Sequence, residues 1–433
     1  MQHSPEQDRE HVVTPLDPRM PMAPASIEET GLESSFLLRL AAKCAAEQDT
    51  ITASHLADRM KLPKVLANVL IKELVKLAFL EARGLAGEDV RSDIRYALSL
   101  KGFEYAHAAS RQSQYVGPAP VSLDAFCRQV NLQSIHDERV TQERLIESLE
   151  GLVLSPSLIE KLGPAMNSGR SILLYGPPGN GKTSIAERTS HLFRQAIWVP
   201  YAIEVGGHVI SFYDEAVHQP VADAGAIFYP KADQRWIECR RPVIKTGGEL
   251  TLDLLDLTFN EGPNVYEAPV HLKASGGVFI IDDFGRQQVA PQSLINRWIV
   301  PLERGYDFLT LHTGKKFKVP FDELVVFSTN IAPKDLSDEA GLRRLKYKIF
   351  VNTPSRDEYL KIFKSYARDT AIDVDDFELN LFYDRKYGSM LASCYHPKYL
   401  LDFVGSYCEF NRMPKIASLA TLERAWEGVF TLE

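Results

Sequence analysis

SILLYGPPGNGKTSIAERTSHLF, residues 171–193, decides how the rest of the chain is read. SILLY is a short apolar run of strand character, and AERTSHLF continues with helical character. Between them Gly176, Pro177, Pro178, Gly179, Asn180, Gly181, Lys182 and Thr183, followed by Ser184, match G-x-x-x-x-G-K-[ST] in its required strand–loop–helix setting. Each residue type has a chemical reason. The glycines let the backbone turn its N–H groups inward, forming an anion nest with a helix N-terminus behind it. Lys182 offers a point charge to β- and γ-phosphates, and the Thr183 hydroxyl is a ligand for Mg²⁺. The expected ligands are ATP and Mg²⁺.

A magnesium site needs a carboxylate at the end of a neighbouring buried strand. GGVFIIDDFGR (276–286) supplies it, with Val278 to Ile281 as the buried run and Asp282 and Asp283 at its carboxyl end. Open α/β sheets place ligands beyond the carboxyl ends of their strands. Asp282 is assigned to the metal and Asp283 to orienting an attacking water.

With these motifs in place, residues 123–433 resemble the AAA+ ATPase family. VVFSTN (325–330) is similar to the sensor 1 strand of that family, which implies that Asn330 lies beside the γ-phosphate. DEAGLRRLKYKI (338–349) puts Arg343 and Arg344 at the arginine-finger position, and CYHPKYLL (394–401) puts Lys398 where the family usually has its sensor 2 arginine. The resemblance implies a parallel-sheet core over 123–353, a helical lid over 354–433 and a ring, usually a hexamer. Three departures stand out. The second acid is Asp283 where many members have Glu, sensor 2 is Lys, and Lys182 and Asp282 are 100 residues apart. In that extra length IEVGGHVISF (203–212) reads as a hairpin and GGELTLDLLDL (247–257) as a helix; FLTLHTGKKFKVPF (308–321) reads as a second hairpin. These features resemble the MoxR-type chaperones, with helicase loaders as the other candidate clade.

Composition bounds the alternatives. The 433 residues are 45% hydrophobic and 24% charged, values of a globular chain with a full core. The net charge of −8 excludes a polycation that coats nucleic acid. Five scattered cysteines without metal spacing imply a reducing compartment. The proline-rich start lacks the apolar core of a signal peptide, and no apolar run reaches the ~18 residues of a membrane span. The expected location is the cytoplasm, with no membrane partner.

Residues 1–33, with five prolines, read as a disordered tail. Residues 34–112 read as a winged helix-turn-helix, with IRYAL (94–98) as a wing strand. On its candidate recognition helix Leu62, Val65, Leu66, Val69, Leu70 and Leu74 form the expected core stripe. Lys64, Asn68, Lys72 and Lys76 form the outer face, with Arg91 and Arg95 in the wing. The module carries 12 Lys/Arg against 9 Asp/Glu, a balance of only +3. Residues 113–122, holding Gly117, Pro118 and Pro120, read as a linker. Two functions fit. One is an ATP-hydrolysing ring that remodels a protein or nucleoprotein client. The other is a DNA-binding, nucleotide-dependent switch with little turnover, in which residues 34–112 contact DNA. Phe212-Tyr213, the only candidate for an aromatic pore loop, reads better as a packed pair.

Overall fold

Strands rich in Val, Ile, Leu and Phe with no polar alternation belong in a parallel sheet covered on both faces. A computed structural model, describing residues 17–86, 93–168, 171–221, 231–388 and 390–430, has that sheet at its centre. Its strands are β1 (Ser171–Tyr175), β2 (Val243–Thr246), β3 (Val278–Ile281), β4 (Leu324–Thr329) and β5 (Tyr347–Phe350). They lie in the order β5-β1-β4-β3-β2, every pair parallel. Alternate residues feed two cores. Ile172, Leu174, Val278, Ile280 and Val326 pack on Ile185 and Ala186 of helix α1 (Lys182–Ser190). Leu173, Phe279, Ile281, Val325 and Phe327 pack on the other side, around the fully buried Trp298. The α/β class with a helical C-terminal part is as expected.

The long insertion builds a second sheet. Ala202–Val205 and His208–Ser211 form the expected hairpin, and the strands Thr258–Asn260, Val265–Glu267 and Val121–Ser122 extend it. Tyr306–Thr310 and Lys316–Pro320 pair as the other hairpin. GGELTLDLLDL is not a helix. It makes only a 3-10 turn at Asp253–Leu255, because Leu250 and Leu255 are buried five positions apart, a spacing that no single helical face serves. Phe212 is buried against Phe126, and Tyr213 packs beside Tyr201, so neither projects as a pore loop.

Residues 34–112 form helices Ser34–Ala46, Ala53–Met60, Lys64–Lys76 and Leu100–Gln112 with an antiparallel pair, Leu80–Leu85 and Ile94–Leu98. The expected core stripe on Lys64–Lys76 needs correction. Leu66, Ala67, Leu70, Ile71 and Leu74 are buried, whereas Val65 is 69% and Val69 45% exposed. The buried stripe is centred one residue later, which turns both valines about 100° toward solvent. Lys64 pairs with Asp93 and Lys76 with Glu73; Arg91 lies outside the described residues.

The disordered tail also needs correction for residues 17–33; residues 1–16 lie outside the described residues. Met20, Thr30 and Leu32 are buried, the Ala23 N–H donates to the Lys231 carbonyl, and the Asp233 N–H donates to the Pro21 carbonyl. The buried Arg235 guanidinium, paired with Asp233, donates to the carbonyls of Thr30 and Pro120. Backbone bonding to the insertion replaces the hydrophobic content this segment lacks. Residues 113–122 are likewise packed. The Lys43 ammonium donates to the carbonyls of Ser113 and Tyr115, and Ala119 N–H to that of Met60.

The C-terminal part comprises α2 (Arg356–Asp369), α3 (Asp376–Tyr387), α4 (His396–Phe410) and α5 (Leu419–Val429). A buried polar chain runs through it: Tyr387 donates to His396 Nδ1 at 2.8 Å and lies 3.0 Å from the Tyr359 hydroxyl. Burial pushes the His396 imidazole down to about 4. The unfolded chain therefore binds an extra proton below pH 6.5, so the stability His396 provides is present above 6.5 and lost as pH falls toward 4. The loss is on the order of 1–3 kcal/mol. In thermal melts a His396→Gln variant, which keeps an acceptor but cannot titrate, is expected to lose less stability than the wild type between pH 6.5 and 4. Equal losses would refute this role. All five cysteines are free, and no described helix is long and apolar enough to cross a membrane.

Candidate functional site

The phosphate loop leaves β1 in a conformation that only its glycines permit. Gly176 has φ 144°, and a Cβ there would lie 2.3 Å from the Val351 carbonyl oxygen. Gly179 has φ 73°, and a Cβ there would lie 2.0 Å from Tyr395 Cδ1. Gly181 then caps α1. The Lys182 ammonium is buried and reaches back across the loop, donating to the carbonyls of Gly176 (3.0 Å) and Pro177 (2.8 Å). Burial pushes this ammonium below its ordinary range, while the charges of Asp283 and Asp282 act in the opposite direction.

Thr183, on the first turn of α1, donates to Asp282 Oδ1 at 2.8 Å, so the two motifs separated in sequence meet at the carboxyl ends of β1 and β3. The Asp283 N–H donates to the same oxygen at 3.1 Å. Burial raises the Asp282 carboxyl, but hydrogen bonds from Thr183, Ser328 and Lys245 outweigh it and hold the group below the usual carboxylate range. An ionised carboxylate beside a hydroxyl is a hard oxygen donor pair, the chemistry that suits Mg²⁺. Asp283 is exposed at the site, with φ 47°. That left-handed conformation is one Asp adopts more readily than Glu, which accounts for the shorter acid here.

Asp283, Asn330, Lys182, Thr183 and Ser184 line one cavity of about 360 Å³, a volume that suits a small organic ligand. Asn330 follows the last residue of β4 and is half-buried. Pro177 contributes its carbonyl to Lys182, and Pro178 is exposed at the loop tip. Asn180 is buried; its Oδ1 accepts from the Cys394 N–H at 3.2 Å, and the Tyr395 N–H donates to the Gly179 carbonyl at 3.1 Å. The C-terminal helical part is therefore docked on the phosphate loop.

Three expected residues lie apart. Lys398 is exposed on α4 and does not line the cavity, where Cys394 and Tyr395 stand instead. Arg343 and Arg344 follow the short helix Glu339–Leu342. Arg344 is tied to Glu303 at 3.0 Å and to the Ala340 carbonyl, whereas Arg343 is exposed beside a shallow hollow.

Sequence reading missed two parts of the site. Leu152, Val153 and Leu154, with Ile362 and Tyr366 of α2, make an apolar wall of the cavity. The run GLVL before Pro156 was the available signal, but nothing local tied it to the loop. The other missed residue is Lys245, whose ammonium lies 3.3 Å from Asp282 Oδ2 and 2.8 Å from Glu187 Oε1.

Among known proteins, a family model described as a domain of unknown function (DUF8689) matches residues 355–428, within the C-terminal helical part. No curated protein matches the sequence. Similar solved structures include a proline-to-glycine point mutant of Thermotoga maritima RuvB, at 14% identity over 68% of this chain and 73% of that one, with a TM-score of 0.36. Thermotoga maritima RuvB titled as a Holliday junction branch migration motor is 14% identical over 67% and 70%, with a TM-score of 0.35. NtrX from Brucella abortus is 13% identical over 64% and 56%, with a TM-score of 0.39. Likenesses this distant leave the functional reading to the site itself.

Proposed function

We propose that the chain binds Mg²⁺ and ATP in this cavity, hydrolyses the nucleotide, and works as an AAA+-type ring that remodels a protein or nucleoprotein partner. Residues 34–112 serve as the partner-binding adaptor. The supporting observation is the convergence of Lys182, Thr183, Asp283 and Asn330, drawn from three separate strand ends, on one cavity, with Asp282 hydrogen-bonded to the Thr183 of that lining. Mg²⁺, held by Thr183 and Asp282, would supply charge neutralisation for the phosphate oxygens. Lys182 holds the β- and γ-phosphates. Asp283 orients the attacking water and accepts its proton, and the Asn330 amide holds that water in place.

Asp283→Asn isolates the charge, because Asn also tolerates the left-handed backbone. The variant is expected to bind ATP within a few-fold of wild type and to lose about 10²–10⁴-fold in steady-state phosphate release. Undiminished release by Asp283→Asn would rule out the water-orienting role.

A second reading, a DNA-bound nucleotide switch with little turnover, draws on the short acid at 283. A misplacement of about 1 Å costs on the order of 100-fold in rate. Against it, cations of the N-terminal module are paired off, Lys64 with Asp93, Lys76 with Glu73 and Arg83 with Glu81. Phosphate release measured with and without duplex DNA separates the two readings.

A further inference from the structure

The carboxylate assigned to the metal is already satisfied on both oxygens. Asp282 Oδ1 accepts from Thr183 at 2.8 Å and from the Asp283 N–H at 3.1 Å. Asp282 Oδ2 faces the Lys245 ammonium at 3.3 Å, and that ammonium also donates to Glu187 Oε1 at 2.8 Å. The placement is set by the fold. Lys245 stands on β2 directly opposite Ile280 of β3, two residues before Asp282. Glu187 stands four residues after Thr183 on α1, on the same helical face. Glu187, Lys245, Asp282 and Thr183 thus form one line across the tips of β2, β3 and α1. All three charged groups are part-exposed, with side-chain exposures of 50%, 43% and 19%, so neither ion pair is sealed from solvent.

We propose that Lys245 is a mobile counter-cation of the magnesium-site carboxylate, shared between Asp282 and Glu187, and that it sets how much Mg²⁺ the site requires. This rests on the nucleotide reading above. A divalent cation at Asp282 and an ammonium about 3 Å from the same carboxylate repel each other, so metal entry favours Lys245 withdrawing to Glu187. Glu187 is the parking site: it lowers the cost of that withdrawal without touching the metal. The two residues therefore have opposite effects. Lys245→Met removes the competitor and lowers the Mg²⁺ requirement. Glu187→Gln removes the alternative acceptor, leaves the ammonium on Asp282 and raises the requirement. Part-exposed ion pairs are worth up to about 1 kcal/mol, which corresponds to shifts of about 3- to 5-fold in each direction.

The experiment is a Mg²⁺ titration of the binding of a fluorescent ATP analogue, followed by anisotropy, on wild type, Lys245→Met, Lys245→Arg and Glu187→Gln. Thermal melts confirm that each variant is folded. The expected result is a half-saturating Mg²⁺ concentration that falls for Lys245→Met, rises for Glu187→Gln and stays near wild type for Lys245→Arg. The same measurement in EDTA isolates metal-free binding by Lys245→Met. A loss of metal-free binding in that variant would make Lys245 a direct phosphate contact and overturn the proposal. Shifts of both variants in one direction, or no shift in either, would overturn it as well. Wild-type binding with unshifted variants removes only the Lys245 assignment. Failure of the wild type to bind the analogue at any Mg²⁺ concentration removes the nucleotide reading along with it.

Discussion

Lys182→Ala is expected to reduce ATP affinity by about 10²-fold or more, with little change in fold stability. The Lys182 ammonium is buried in the phosphate loop and donates to the carbonyls of Gly176 and Pro177, at 3.0 and 2.8 Å. Those carbonyls are modest partners for a desolvated cation, and burial already pushes the ammonium below its ordinary range. Phosphate oxygens are far better partners. Hydrogen bonds to charged groups contribute roughly 1.5–3 kcal/mol each, so losing two corresponds to about 10²–10⁴ in affinity. Lys182 itself lines the cavity, so the space its side chain vacates opens to water that can bond the freed carbonyls, and the melting temperature should move by only a few degrees. Lys182→Arg should not restore binding, because the planar guanidinium is larger and cannot occupy the same position beneath the loop. Calorimetric titration with ATP checks the expectation. Wild-type affinity in Lys182→Ala would refute the assignment of the loop, and with it the rest of the site.

What could be read from the sequence follows from how locally each feature is determined. The phosphate loop was legible because its conformation is imposed within eight residues: positive φ at Gly176, Gly179 and Gly181 demands glycine wherever the motif occurs. Asp282 was legible because a short apolar run flanked by glycines suits a covered strand, and its end is where ligands collect. Asn330 was found through the resemblance of VVFSTN to a sensor 1 strand, and it stands just past the end of β4. Lys245 was not, although β2 also ends at the site, because a lone lysine after VI carries no pattern of its own. Its role is visible only once Glu187 and Asp282 stand within 2.8 and 3.3 Å of it. Lys398 shows the opposite error. A motif position was carried over, but the loop before α4 brings the backbone of Cys394 and Tyr395 to the phosphate loop and leaves Lys398 in solvent. Val65 and Val69 were misplaced because a helix with apolar residues at 65, 66, 69 and 70 fits two stripes about 100° apart, and only the packing of Ser34–Ala46 and Ala53–Met60 chooses between them.

Arg343→Ala is expected to lower ATP turnover by about 10³-fold while leaving ATP affinity within a few-fold of wild type; Arg344→Ala should have a much smaller effect. The two arginines were indistinguishable in sequence, but their surroundings differ. Arg344 is held within its own chain by Glu303 and the Ala340 carbonyl, so it is committed to local structure. Arg343 caps the helix Glu339–Leu342 and projects beside an open hollow bordered by Glu339, Ala340, Leu342 and Lys348. It does not line the cavity of its own chain. In the proposed ring this exposed guanidinium would meet transition-state charge in a neighbour's site, where arginines supplied in trans are worth about 10³–10⁵ in the best-studied GTPases. Such a head-to-tail contact is heterologous and must close into a ring or continue as a helix. Specific activity should therefore rise with protein concentration, with ATP-promoted oligomers visible by light scattering. Mixing Arg343→Ala with Lys182→Ala should recover part of the activity, since each supplies what the other lacks: an intact nucleotide site from one and an intact arginine from the other. An Arg344→Ala and Lys182→Ala mixture is the control, and its activity should simply follow the Arg344→Ala fraction. A chain that stays monomeric with ATP, hydrolyses it at a concentration-independent rate and tolerates Arg343→Ala would refute the shared site, while leaving the proposed binding of ATP and Mg²⁺ untouched.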